Sequence, residues 1–119
     1  MTYEKYCRET VDCQGRLIEF HVDCPENFNF GYDVVDETAR MAPDKRAMVW
    51  CSGEGEERTF TFRDISRLSN RAANVFRSAG ICRGDRVMVV LKRHYEYWFT
   101  AVALHKLGAI LIPLTHMLT

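Results

Sequence analysis

The stretch Arg86-Val-Met-Val-Val-Leu91, continued by His94-Tyr-Glu-Tyr-Trp-Phe-Thr-Ala-Val-Ala-Leu-His-Lys-Leu107 and Gly108-Ala-Ile-Leu-Ile-Pro113, decides the fold. Its first run is apolar at consecutive positions rather than alternate ones, the mark of a strand covered on both faces in a parallel sheet. The middle run spreads Tyr95, Trp98, Phe99, Val102, Ala103 and Leu107 around most of a helical circumference. That helix is expected to be largely buried, with Trp98 and Phe99 inside. Gly108 is placed to stop it, and Ala109 to Ile112 supplies a second strand. Strand, helix and strand in this order make a right-handed βαβ crossover, with Val87–Leu91 and Ile110–Ile112 adjacent and parallel. Thr119 follows directly behind this unit and nothing after it supplies catalytic groups. The expectation is an N-terminal piece of a larger nucleotide-handling enzyme.

Working back toward the N-terminus, Thr61 and Asp64 form a capping pair. Behind it Ile65, Leu68, Ala72, Val75, Phe76 and Ala79 recur at helical spacing, and Gly80 supplies the stop. Arg63, Arg67 and Arg71 lie on the opposite face, which reads as a solvated face rather than a phosphate-binding stripe. Ala47-Met-Val-Trp-Cys51 and Arg58-Thr-Phe-Thr-Phe62 flank Ser52-Gly-Glu-Gly-Glu-Glu57, a hairpin signature. A helix of about ten residues is expected from Tyr32 to Met41, ended by Pro43. Residues 1–30 are the least regular part. Arg16–Val22 has a short alternating character, and Pro25-Glu-Asn-Phe-Asn-Phe30 reads as an extended arm with two aromatic anchors. The fold class is therefore α/β, a partial parallel sheet with flanking helices and a β-hairpin N-terminal to it. The division is an irregular arm at 1–30 and an α/β subregion at 31–119.

Composition narrows the partners. Sixteen basic and sixteen acidic side chains cancel in the 119-residue chain, so no overall field recruits nucleic acid or an anionic membrane. No run approaches the roughly 18 apolar residues of a membrane span, and the charged first twenty residues hold no signal-peptide core. A cytoplasmic location is the default. Five cysteines at irregular gaps, with no Cys-x-x-Cys pair, read as free thiols. The spacing of Cys7, Cys13, His21 and Cys24 argues against a zinc site. Gly80-Ile-Cys-Arg-Gly84 precedes a strand instead of following one, and Gly53-Glu-Gly55 sits among glutamates, so both read as turns rather than phosphate loops. His21, His94, His105 and His116 have no nucleophile partner in a recognisable motif.

Phe60-Thr-Phe62, the helix carrying Asn70-Arg-Ala-Ala-Asn74, the segment Gly80-Ile-Cys-Arg-Gly84-Asp85-Arg-Val87, and Lys106-Leu-Gly-Ala-Ile-Leu-Ile-Pro-Leu-Thr115 together resemble the N-terminal portion of the adenylate-forming superfamily. That superfamily comprises acyl-CoA synthetases, luciferases and peptide-synthetase adenylation domains. Pro25–Phe30 and Pro113-Leu-Thr-His-Met-Leu-Thr119 lean toward the medium-chain acyl-CoA or benzoate-CoA type, and the likeness spans about residues 25–119. The resemblance implies a two-step ligase for the parent protein. A fatty or aromatic carboxylic acid is joined to ATP with Mg²⁺ on the triphosphate, and coenzyme A then displaces AMP from the acyl-adenylate. The family's Ser/Thr/Gly-rich phosphate loop, acidic ribose-binding residue and C-terminal lysine have no counterpart in these residues. No catalytic, cofactor-binding or metal-binding residue is therefore carried over, and His116 is only a neighbour of the substrate-binding core. On this reading the chain alone is inactive, binds no cofactor, and has the remainder of the synthetase as its partner. A different reading makes it a stand-alone or regulatory interaction module that self-associates, as a homo-oligomer, through exposed sheet surface.

Overall fold

The structure, a computed structural model, describes residues 5–117. The last two residues of the Pro113–Thr119 motif fall outside that range. In chain order the elements are β1 (Cys7–Val11), β2 (Leu17–Val22), a π-helical segment (Phe30–Asp36) running into α1 (Glu37–Met41), β3 (Arg46–Cys51), β4 (Glu57–Thr61), α2 (Phe62–Ser78), β5 (Arg86–Val90), α3 (Glu96–Leu107) and β6 (Ile110–Leu114). They form two antiparallel hairpins, β1–β2 and β3–β4, and one parallel pair, β5–β6.

The βαβ reading holds. β5 and β6 pair in parallel from Arg86↔Ile110 to Val90↔Leu114, with α3 as the crossover. Gly108 ends α3 at φ 70°, a conformation only glycine adopts without strain, and the Ala109 N–H returns to the Leu104 carbonyl at 3.0 Å. Phe99 is 7% exposed, as expected, but Trp98 is 54% exposed, which corrects the expectation for it. Phe99 and Val102 pack into one core with Val35 and Ile65, while Leu104 packs into a second with Val89 and Ala109. The helix is thus shared between two cores, and Trp98 belongs to neither. Only one face of the parallel pair is covered: Val89 is buried while Met88 and Val90 are exposed.

α2 begins where its capping pair predicts. The Thr61 N–H donates to Asp64 Oδ2 at 3.0 Å, and the Asp64 N–H donates to Thr61 Oγ1 at 3.2 Å, a complete capping box. Ile65 is buried and Leu68, Ala72 and Phe76 half-buried, but Val75 is exposed. The inward row instead contains Ser69, which has no exposed surface. Arg63 pairs with Asp44 at 3.1 Å and Arg67 with Asp64 at 3.7 Å, both in solvent.

The region expected to be irregular holds the β1–β2 hairpin, in register from Cys7↔Val22 to Val11↔Leu17 with a bulge. It stands away from the rest of the molecule, joined at its base by Tyr6 edge-on to Phe28 and by Lys5 3.7 Å from Glu37. The radius of gyration, 16.6 Å, exceeds the roughly 13.5 Å of a compact chain of this length.

Candidate functional site

In open α/β sheets, ligands bind in the crevice outside the carboxyl ends of parallel strands. The register of β5 and β6 brings both such ends to one edge, so Leu91-Lys-Arg-His94 and Thr115-His-Met117 emerge side by side. The first of these loops is held firmly. Trp50 Nε1–H, on β3, donates to the Arg93 carbonyl at 2.7 Å, and its ring meets Tyr95 edge-on at 5.3 Å. Arg58 on β4 lies 5.0 Å above the Tyr95 ring and donates to its hydroxyl at 2.9 Å. Glu56 accepts from the same guanidinium at 2.8 Å, and this hydrogen bond raises the Arg58 pKa, so the cation persists throughout the working pH range. Arg93 takes φ 49°, uncommon for a residue with a side chain, and thereby turns β5 sharply into α3.

Two cavities flank this clamp. One of about 620 Å³ lies between the β3–β4 turn and the loop, lined by Trp50, Ser52, Glu54, Lys92, Arg93 and His94. A second, of about 270 Å³, runs along Leu91, Tyr97 and Trp98. His116 stands on the same edge, exposed at the end of β6.

The glycine turns do not fit a nucleotide phosphate. The amides of Gly80, Ile81, Cys82 and Gly84 are already bonded to Arg77 O, Phe76 O, Asp85 Oδ2 and Gly108 O. Around Ser52, the Glu54 and Glu56 amides both donate to its Oγ and the Gly55 amide to its carbonyl. Neither turn leaves a row of outward N–H groups of the kind an anion needs. Among the described residues no three His, Cys, Asp or Glu side chains gather to hold a metal ion. His21 instead meets Glu19 at 2.9 Å on its own strand.

A polar centre that sequence reasoning missed lies at the other end of α3, toward the amino ends of β5 and β6. The Lys106 side chain is 2% exposed, and its ammonium reaches Asp36 Oδ1 at 2.7 Å, Ser69 Oγ at 3.0 Å and Asn70 Oδ1 at 2.7 Å. Three donors thus find three acceptors, from the π-helical segment and α2, and the buried charge is fully coordinated. Asn29 locks the same corner: its Oδ1 caps the Gly31 amide at 2.9 Å and its Nδ2 donates to the His105 carbonyl at 2.7 Å. Gly31 is required there, since a Cβ on it would lie 2.6 Å from Lys106 Cγ. The available signal was a lone lysine inside the apolar face of α3.

A family model described as AMP-binding enzyme matches residues 35–119. The chain belongs to the AMP-binding enzyme family. Among its curated relatives is the mitochondrial acyl-coenzyme A synthetase ACSM3 of Mus musculus, 40% identical over 107 residues that make up 85% of this chain and 18% of that protein. The mitochondrial ACSM4 of Homo sapiens is 40% identical over 101 residues, 80% of this chain and 17% of the relative. The chain therefore spans about a fifth of the length of the curated relatives it matches. Among solved structures, the fatty acyl CoA synthetase of Mycobacterium tuberculosis aligns with a TM-score of 0.65 at 27% identity, covering 76% of this chain and 17% of that one. The fatty acid AMP ligase of Legionella pneumophila, 21% identical over 71% of this chain and 15% of its own, shares the fold at a TM-score of 0.67. The adenylate-forming family resemblance seen in the sequence is thereby shown, as is its α/β class. No helix among the described residues is long and apolar enough to cross a membrane.

Proposed function

We propose that the chain is a portion of an AMP-forming acyl-CoA synthetase, one that activates a fatty or aromatic carboxylic acid with ATP and Mg²⁺ and passes the acyl group to coenzyme A. The observation that carries this reading is the 40% identity to an acyl-coenzyme A synthetase across 85% of the chain. The βαβ unit and the clamped loop at its strand ends give that identity a structural basis. Residues 31–119 are taken as the α/β subregion and 1–30 as an N-terminal arm. Its contribution is architectural: β5, β6 and α3 form the start of a parallel sheet whose free edges take further strands, and Trp50 with Arg58 fixes the loop at its ligand-facing end. No catalytic, ATP-contacting or metal-ligating role is assigned to any residue of the chain, and the amides of its two glycine turns are largely engaged within the turns. For the compartment, the relatives' mitochondrial designation favours that organelle over the cytoplasm expected from the charged N-terminus.

A graft tests the assignment. Residues 35–119 replace the matching segment of mouse ACSM3, and carboxylate-dependent ATP–pyrophosphate exchange and CoA thioester formation are measured. Retention of both activities is expected, whereas the 119-residue chain alone gives neither. A folded graft without exchange, or exchange by the chain alone, refutes the reading.

A further inference from the structure

Among the described residues Arg93 is the one that carries a side chain at positive φ, 49°. Residues other than glycine adopt that region only a few per cent of the time, so a conformation fixed there needs a hold. Trp50 provides it. Its Nε1–H donates to the Arg93 carbonyl at 2.7 Å, and its indole is wedged edge-on against Tyr95, whose hydroxyl accepts from Arg58 at 2.9 Å. Glu56 accepts from the same guanidinium at 2.8 Å. The β3–β4 hairpin, which lies outside the parallel pair, thus braces the turn between β5 and α3. Every member of the brace falls within residues 50–95, so the contact is independent of any segment beyond the chain. Backbone strain persists where the surroundings over-determine it, and it gathers at ligand clamps. This turn stands at the carboxyl end of β5, where open α/β sheets take their ligands, and Lys92 and His94 flank Arg93 on the wall of the cavity they share with Ser52 and Glu54.

We propose that Trp50 is a positioning residue for the synthetase reaction: by holding Arg93 in the left-handed region it aims Lys92 and His94 at the crevice in which a phosphate-bearing substrate seats. The inference rests on the acyl-CoA synthetase reading, in which ATP and coenzyme A both bear phosphates. Arg93 is the pivot and acts through its backbone. The magnitude follows from populations. Without the indole donor, Arg93 keeps positive φ in about a tenth of molecules or fewer, and apparent affinity falls by the competent fraction. Trp50→Phe, which keeps a ring beside Tyr95, is therefore expected to raise one KM about tenfold or more and to move KM more than kcat. Glycine takes either sign of φ about as readily, so Arg93→Gly added to Trp50→Phe should bring that KM back to within about threefold of the parent.

The graft of residues 35–119 into mouse ACSM3 reads this in two arms, KM for ATP in pyrophosphate exchange and KM for CoA in thioester formation. A rise in either arm that Arg93→Gly reverses supports the proposal and identifies the substrate. Trp50→Phe without effect on either KM overturns it. So does a loss that Arg93→Gly fails to reverse, because a merely structural tryptophan is not rescued by a glycine 43 positions away. A second readout needs no turnover. In the 119-residue chain the Trp50 indole proton should exchange with solvent about tenfold or more slowly than that of Trp98, followed by nitrogen-15 NMR. Equal rates overturn the brace whether or not the graft is active. An unsubstituted graft that is folded but inactive counts against the synthetase reading, and the indole rates then decide the brace by themselves.

Discussion

Replacing Lys106 with methionine isolates the buried polar centre, because methionine keeps the length and apolar stem while removing the charge. The substitution leaves the Asp36 carboxylate, the Ser69 hydroxyl and the Asn70 carbonyl without the donor they share. Breaking a buried pair from one side costs about 3–5 kcal/mol. Asp36, at 27% side-chain exposure, regains part of its hydration, which lowers the expected loss to about 2–3 kcal/mol. With an unfolding entropy near 2.1 cal/mol/K per residue, that loss lowers Tm by about 8–12 °C. Far-UV circular dichroism during thermal and urea unfolding measures it. Removing both charges, K106M with D36L, is expected to recover at least about 1 kcal/mol relative to the summed single effects, since no uncompensated ion remains. A K106M variant within about 0.5 kcal/mol of wild type, or strictly additive effects in the cycle, would refute the view that this ammonium ties α3 to α2 and the π-helical segment.

Three further outcomes are expected. Gly31→Ala places a Cβ 2.6 Å from Lys106 Cγ and 3.3 Å from the Val102 carbonyl, and should destabilise by about 1–3 kcal/mol in urea melts. Hydrogen bonds from the Thr61 backbone and hydroxyl hold the Asp64 carboxyl below its usual range. Its capping contribution, about 1 kcal/mol, is therefore present above the unfolded carboxylate pKa near 4 and lost as pH falls through the lower folded value. The stability gap between wild type and Asp64→Ala should accordingly shrink between about pH 5 and pH 2, as followed by melts at graded pH. Val89→Asp buries an unpaired charge and should cost about 3 kcal/mol or more, whereas Met88→Asp, on the open face of the same strand, should leave monomer stability within about 1 kcal/mol of wild type.

Local patterns carried most of the architecture into the sequence. The Thr61–Asp64 pair, the uninterrupted apolar run of β5 and the terminal Gly108 each act within a few residues, so they are legible in one dimension. β1 was not, because Cys-Arg-Glu-Thr-Val alternates Cys7, Glu9 and Val11 on one face and the glutamate breaks the apolar signal. Trp98 was misplaced for a different reason. A helix apolar all round reads as wholly buried, yet how much of it is covered depends on how many neighbours pack against it, and Trp98 belongs to neither of the two cores that α3 joins. The Lys106 centre is non-local by nature, joining positions 70 and 37 residues apart in the chain. At the candidate site the loop residues lay within the quoted strand–helix passage, but the tie from Trp50 spans 43 positions and left no spacing to recognise.

The hydrogen bond from Trp50 to the Arg93 carbonyl also furnishes an optical probe built into the chain. Only two indoles are present, and they sit in contrasting settings: Trp98 is mostly open to solvent, whereas Trp50 is half-buried with its ring nitrogen engaged. Acrylamide at low concentration quenches the first preferentially, leaving emission weighted toward the second. A molecule entering the crevice beside Lys92 and His94 and shifting that loop stretches the indole's only hydrogen bond to it, and the emission maximum moves. Ligand screening of this protein therefore requires no dye, no label and no turnover.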